Sequence, residues 1–257
     1  MTLHYNISNP NSKCNWVMDS LKKGWSDDSN HYWGFIQDND RLIRNHQDQF
    51  EDFYFWDMPY YGRYGVVDDH YWRVSKNGIH PTKVTSRPTD RFEKWNIDIK
   101  DWDKQGEEIL VCPSSNTMSY WCTSQHERVW TQQTIAELSK HTDRPIRVRS
   151  KPRTEKTSGP VAQKELGLPS VQEDIQNAFA VVTSVSLVAV EAITNGIPVF
   201  CHPLSFASPI SSVDISEIEN PIYSSKRLEW LSHLAYCQFT ERETSNGIAY
   251  ETWRTYA

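Results

Sequence analysis

Several features are missing from this sequence, and each absence closes off a class of protein. No apolar run approaches the roughly 20 residues that span a bilayer, so no membrane is expected among its partners. Residues 1–13 hold neither a basic start nor an apolar stretch, so no secretory signal is visible and a cytoplasmic location is expected. Without a secretion route, the glycosylation sequon Asn6-Ile7-Ser8 reads as chance. Cysteine is sparse: Cys14, Cys112, Cys122, Cys201 and Cys237 form no C-x-x-C pair. An odd, scattered set reads as reduced thiols, neither a disulfide framework nor a zinc site. The G-x-G-x-x-G fingerprint of nicotinamide enzymes is absent. Asp101-Trp102-Asp103 is an Asp-x-Asp, but it lies in a charged linker where solvent competes for it. No metal and no resident cofactor are therefore expected. Basic charge is also short: a net charge of -6 argues against a generally basic nucleic-acid binder, though a local basic groove stays open.

What is present suits a folded α/β protein. The chain has 257 residues, of which 38% are apolar, and its 11 Trp, 12 Tyr and 9 Phe can fill a core. That length accommodates one large domain or two compact ones. Early on, short apolar runs alternate with helix-like stretches. Strands are expected at His4-Tyr5-Asn6-Ile7, at His31 to Ile36 and at Asp52 to Trp56. Helices are expected over 15–25, where Trp16, Val17, Leu21 and Trp25 keep helical register, and over 38–50. Strand, helix, strand, helix, strand implies a small parallel sheet. Between Asn77 and Glu107 the pattern breaks up around Pro81 and Pro88, which suits a connecting region with a boundary near residue 105.

After that boundary the alternation sharpens. Strands are expected at Glu108 to Cys112, Pro145 to Arg149, Phe179 to Thr183 and Ile197 to Cys201. Helices are expected over 129–140, 171–178 and 186–194, the last closed by Asn195-Gly196. Within this half, Val181-Val182-Thr183-Ser184-Val185-Ser186 delivers three hydroxyls to the start of a helix. Free amides and the positive end of the helix dipole favour a phosphate there. Glu191 is the only charge in the apolar segment Val185 to Ile193, so it must face solvent or a ligand. Gly196-Ile197-Pro198 then leads into the next strand.

This strand, hydroxyl-rich turn, Glu-bearing helix and Gly-x-Pro resemble the donor-binding half of GT-B glycosyltransferases and the related sugar-nucleotide epimerases. The resemblance covers about residues 108–202, with its specific part at 181–199. It implies an α/β protein of two small Rossmann-like parallel-sheet domains facing a cleft. Residues 1–105 would form the acceptor side with a connecting region, and 106–257 the donor side. The last helix, around Gly247 to Trp253, would pack back on the N-terminal domain. It further implies phosphate contacts from Thr183, Ser184 and Ser186 and a ribose contact from Glu191. The whole chain also resembles uncharacterised proteins of marine tailed phages, which implies a source (and then the host cytoplasm) but no activity.

Two further loops leave strand ends in the same half. Ser114 and Ser115 follow the strand at Ile109. Arg147, Arg149, Lys151 and Arg153 alternate along and beyond the Pro145 strand, so period 2 places all four on one face. Such cations can grip a pyrophosphate or an anionic acceptor, or merely guard a sheet edge.

The N-terminal half is expected to supply any base that takes the acceptor proton. Asp57, at the end of an aromatic strand and before Met58-Pro59-Tyr60-Tyr61-Gly62-Arg63, is the first choice, and His80, in Gly78-Ile79-His80-Pro81, the second. Asp68, Asp69 and His70 are further candidates.

The function expected is transfer of a sugar from a nucleotide-sugar to a hydroxyl, without a metal. The acceptor would be a hydroxymethylated pyrimidine in phage DNA, with Trp33, Trp56, Tyr60 and Tyr61 available to a flipped base, or else a glycan or a small molecule. The alternatives are a sugar-nucleotide epimerase or hydrolase on the same fold, and a non-catalytic nucleotide- or nucleic-acid-binding protein.

Overall fold

The computed structural model describes residues 1–4, 13–35, 39–49, 51–62, 70–103 and 105–256. In chain order the first elements are β1 (Thr2–His4), α1 (Lys13–Gly24), β2 (Asn30–Trp33), α2 (Asn39–Gln49), β3 (Phe53–Asp57), β4 (Tyr71–Lys76) and α3 (Asp90–Glu93). Next come β5 (Glu108–Val111), α4 (Asn116–Thr123), α5 (Glu127–Leu138), β6 (Ile146–Val148), α6 (Pro160–Glu165) and α7 (Val171–Asp174). The remainder is β7 (Ala178–Thr183), α8 (Val188–Thr194), β8 (Val199–Cys201), α9 (Arg227–Ala235), β9 (Gln238–Thr240), α10 (Glu241–Ser245) and α11 (Ile248–Tyr256). The chain divides into two compact units, residues 1–95 with 231–257, and residues 96–230. We call them unit 1 and unit 2.

Unit 1 is built on a five-stranded sheet in the order β1-β2-β3-β4-β9. The first three strands are parallel, as their alternation with α1 and α2 requires. The other two depart from the all-parallel sheet expected from sequence, because β4 runs antiparallel to β3 and β9 antiparallel to β4. Only about a dozen residues separate Asp57 from Tyr71, the short end of what a parallel crossover needs, and the two strands pair antiparallel. The strand expected at 4–7 begins earlier, at Thr2, and its residues 5–7 fall outside the described residues, as do Ile36, Arg63, Asp68 and Asp69.

Aromatic side chains hold this unit together. Val17, Met18, Leu21 and Trp25 of α1 and the turn after it pack on Tyr54, Trp56, Trp72, Val74 and Phe239 from the sheet and Ala249 from α11. Trp25 meets Tyr250 edge-on at 5.3 Å, and Tyr54 meets Trp253 at 5.9 Å. Full burial of one large apolar side chain contributes roughly 1.5–3 kcal/mol. Helix α1 lies so close to α10 that a Cβ at Gly24 would stand 1.9 Å from the Thr244 carbonyl oxygen. Polar groups inside this unit are matched to the core. His31 is fully buried, taking a hydrogen bond on Nδ1 from the Trp56 indole at 3.0 Å and meeting the Ser29 hydroxyl through Nε2 at 2.9 Å.

Unit 2 is a parallel sheet in the order β6-β5-β7-β8. Every residue of β7, Ala178-Phe179-Ala180-Val181-Val182-Thr183, is buried. An unbroken apolar run is what a central parallel strand covered on both faces requires. Ile109, Val111, Ala180, Val182 and Phe200 of the strands form the core with Leu138 and Ile218. Two expected helices are shorter in the structure: α7 stops at Asp174, and α8 begins at Val188 after a turn through Ser184 to Leu187. No described helix is long and apolar enough to cross a membrane.

Candidate functional site

Strand order in unit 2 marks the candidate site. The chain steps from β5 outward to β6, then passes back over β5 to reach β7 and continues to β8. Right-handed crossovers therefore put α4 and α5 on one face and α6 to α8 on the other. Between β5 and β7 the winding reverses. Loops leaving the C-terminal ends of those two strands set off toward opposite faces of the sheet, and such a switch point is the usual place for a ligand in these folds.

The loops are tied together at their base by hydroxyls. Ser184 donates to Ser114 Oγ at 2.7 Å, and Ser114 Oγ also accepts the Val185 amide at 3.0 Å. Thr183 donates to the Cys112 carbonyl at 2.6 Å, and its Oγ accepts the Ser186 amide at 3.3 Å. Ser114, Thr183 and Ser184 are all buried. Ser186 is half-buried, and its Oγ lies 3.4 Å from the Val188 amide. The amides entering α8 are thus largely satisfied by the protein's own hydroxyls.

The turn after β5 differs. Ser115 caps α4 without a side-chain hydrogen bond to the helix and is half-buried. The amides of Asn116, Thr117 and Met118 meet no acceptor among the described residues, while the next amide, that of Ser119, bonds the Ser115 carbonyl at 2.8 Å. Those amides make the start of α4, at the switch point, rich in donors. Glu191, on the first turn of α8, is half-buried. Gly196 holds φ at +80° directly after that helix, the left-handed stop its position in the sequence suggests.

Arg147 and Arg149 lie on one side of β6 and its extension, since both reach Asp174. Lys151 is half-buried, and Arg153 is exposed and makes an isolated bridge with Ser158. Sequence reasoning missed Asp174 and Glu108, the carboxylates that meet these cations. Cys112, at the exit of β5, is pushed up to about 12 by burial, so it is a protonated thiol and no nucleophile.

In unit 1 both base candidates are engaged. Asp57 ends β3 and pairs with the buried Arg73 at 2.7 Å, while its other oxygen accepts the Met58 amide at 2.7 Å. His80 is buried, and desolvation with the nearby Arg73 charge holds its pKa well below the ordinary histidine value, so it stays neutral. His70 is exposed and stacks on Trp16 at 6.4 Å. Trp56, Tyr60 and Tyr61 are core residues, and Trp33 meets Trp72 edge-on at 4.9 Å. Among the described residues no cluster of three or more His, Cys, Asp or Glu is placed to hold a metal.

Neither a scan against protein-family models nor a search of curated proteins finds a match to this chain. Among solved structures the chain is similar to Thermosulfurimonas dismutans KpsC, beta Kdo 2,7 transferase. That likeness has 15% identity and a TM-score of 0.46, covering 91% of this chain and 88% of that one. At that score it bears on neither fold nor activity here.

Proposed function

We propose that the protein is a glycosyltransferase that moves a sugar from a nucleotide-sugar donor to a hydroxyl acceptor, with unit 2 holding the donor. The supporting observation is the reversal of winding between β5 and β7, with the unsatisfied amides of α4 at the exit of β5 beside it. In this reading the amides after Ser115 and the guanidinium of Arg149 meet phosphate oxygens, while Glu191 takes the ribose hydroxyls. Ser186 lines the site, and Ser114, Thr183 and Ser184 fix its walls. Arg147, Lys151 and Arg153 add positive field along the same edge. Amides and guanidinium groups can hold a pyrophosphate without a metal, and the reaction is read as metal-independent.

Acceptor chemistry belongs to unit 1 in the same reading. Asp57 would take the acceptor proton only by leaving Arg73, and His80 only by becoming exposed. A mechanism that keeps the sugar's configuration, which needs no protein base, fits these two groups better. With Trp56, Tyr60 and Tyr61 consumed by the core, a glycan or a small hydroxylated acceptor suits the unit better than a flipped DNA base.

Thermal-shift measurements with UDP-, GDP-, ADP- and CMP-sugars test the donor site. A ligand at a hundred times its Kd adds about 2.7 kcal/mol of stability. At least one is expected to raise the melting temperature, and Glu191→Ala to remove the rise. If none shifts it while oligonucleotides do, the chain is a nucleic-acid binder and the transferase reading fails. Turnover of the sugar-nucleotide with no acceptor present would instead mark an epimerase or hydrolase.

A further inference from the structure

The two arginines at β6 are not equivalent. Arg147 uses all three guanidinium nitrogens: Nε and Nη2 reach the Glu108 carboxylate at 3.1 and 2.7 Å, and Nη1 reaches Asp174 Oδ1 at 2.6 Å. Nη2 also donates to the Asp174 carbonyl at 2.7 Å. Arg149 gives Nε to Asp174 Oδ2 at 2.5 Å and makes one long contact, 3.4 Å from Nη2 to the Pro169 carbonyl. Its other terminal nitrogen meets no acceptor among the described residues, although the side chain is only 12% exposed.

Asp174 is itself rigidly held. It closes α7, which Ser170 and Glu173 start with a reciprocal capping box, and α7 packs against α8. The residue is 8% exposed. A carboxylate that gives one oxygen to each of two guanidinium groups fixes the rotamers of both. Arg149 itself sits beside the exit of β5, where its amide donates to the Val111 carbonyl at 2.9 Å.

We infer that Asp174 is a positioning residue: it holds the Arg149 guanidinium at the C-terminal end of β5 with a free edge turned to a phosphate of the donor. The inference rests on the donor-binding reading of unit 2. Charge alone makes the opposite prediction. Asp174 lowers the local positive field, so if it acted only through charge, removing it would tighten anion binding. If it acts by orientation, removing it loosens binding.

Calorimetric titration of the full chain with inorganic pyrophosphate, UDP, GDP, ADP and CMP separates the two. Asp174→Asn is expected to weaken binding by about tenfold, the scale of one charge-assisted hydrogen bond. Asp174→Glu, which keeps the charge, is expected to recover part of the loss. In an Arg149→Ala background, Asp174→Asn should cost nothing further, because the residue through which it acts is gone. Unchanged or tighter binding by Asp174→Asn, or equal losses in both backgrounds, would overturn the inference while leaving the donor site standing. Should no probe bind the unaltered chain, the donor reading falls and the inference with it. Melting curves accompany each variant, and if Asp174→Asn does not fold, the same cycle run with Asp174→Glu decides.

Discussion

Both units start from strand–helix alternation, yet only in unit 2 does the winding reverse between neighbouring parallel strands, and the difference is strand order. In unit 1 the parallel strands lie in the order in which they are made, β1-β2-β3, so the winding never reverses among them. At the end of β3 the polar groups are taken up by their neighbours. Asp57, Arg73 and Gln238 face one another across three neighbouring strands, and Gln238 Oε1 takes the amides of Tyr60 and Tyr61 at 2.9 and 3.0 Å. In unit 2 the third strand returns past the first, and polar groups at that reversal keep unused valences. The site proposed for unit 2 follows from topology more than from residue content: unit 1 has the richer set of aromatics and spends them on its core.

Gly196→Ala is expected to do the most damage, and to unit 2. The new Cβ would stand 1.9 Å from the Asp101 carbonyl oxygen, with φ at +80°. Backbone atoms on both sides leave no flexible group to yield. A loss of about 3 kcal/mol or more is expected in denaturant unfolding. A change under 1 kcal/mol would mean that residues 101–103 do not pack against the end of α8.

Acid should act on unit 1. Desolvation holds buried His233 at about 4, below its ordinary 6.5, and His80 is lowered in the same direction. Because the folded values lie below the unfolded ones, this stability is complete above pH 6.5. It is lost as pH falls toward 4, where the unfolded chain takes up protons that the fold refuses. His233 alone contributes roughly 3 kcal/mol to that loss by pH 4. Unfolding measured across this window should slope accordingly, and His233→Asn should flatten the slope. An unaltered slope would show that His233 charges without unfolding.

How much of this was legible in the sequence varies with the physics of each part. β5, β7 and β8 can be read directly because buried parallel strands are nearly unbroken apolar runs, and β6, a half-buried edge strand, by the alternation of Ile146 and Val148 with arginines. β4, Tyr71-Trp72-Arg73-Val74-Ser75-Lys76, is hidden because the buried Arg73 and Ser75 break that pattern. β9 is only Gln238-Phe239-Thr240, too short to carry any period. At the site, the hydroxyl-rich turn and Gly196 stand out by residue type. Which hydroxyls are already spent does not, because the Ser114–Ser184 bond joins residues 70 apart in sequence. Asp174 was within reach: Ser170-x-x-Glu173 marks a helix start, and arginines on a half-buried strand need carboxylates nearby.

Asp57→Asn comes next in expected size. It leaves Arg73, 3% exposed, without its carboxylate, and an uncompensated buried charge destabilises strongly. Asp57 is itself partly solvated, so the expected cost is smaller than for a fully buried pair, about 2 kcal/mol. Donor binding should be unchanged. If instead the fold is unaffected and only turnover disappears, Asp57 is a base after all and the pairing with Arg73 is incidental.

The smallest effects separate the two serines at the exit of β5. Ser114→Ala removes the acceptor of both the Ser184 hydroxyl and the Val185 amide, so it should cost about 1–2 kcal/mol of stability. Ser115→Ala breaks no side-chain cap and should leave stability within about 0.5 kcal/mol. Its hydroxyl nevertheless sits beside the unsatisfied amides of α4, so nucleotide affinity should fall several-fold in Ser115→Ala. That pattern, stability lost at one position and affinity at the next, is what a wall and a ligand contact predict. Equal losses of stability at both would make the turn a structural cap, and would move the phosphate site away from α4.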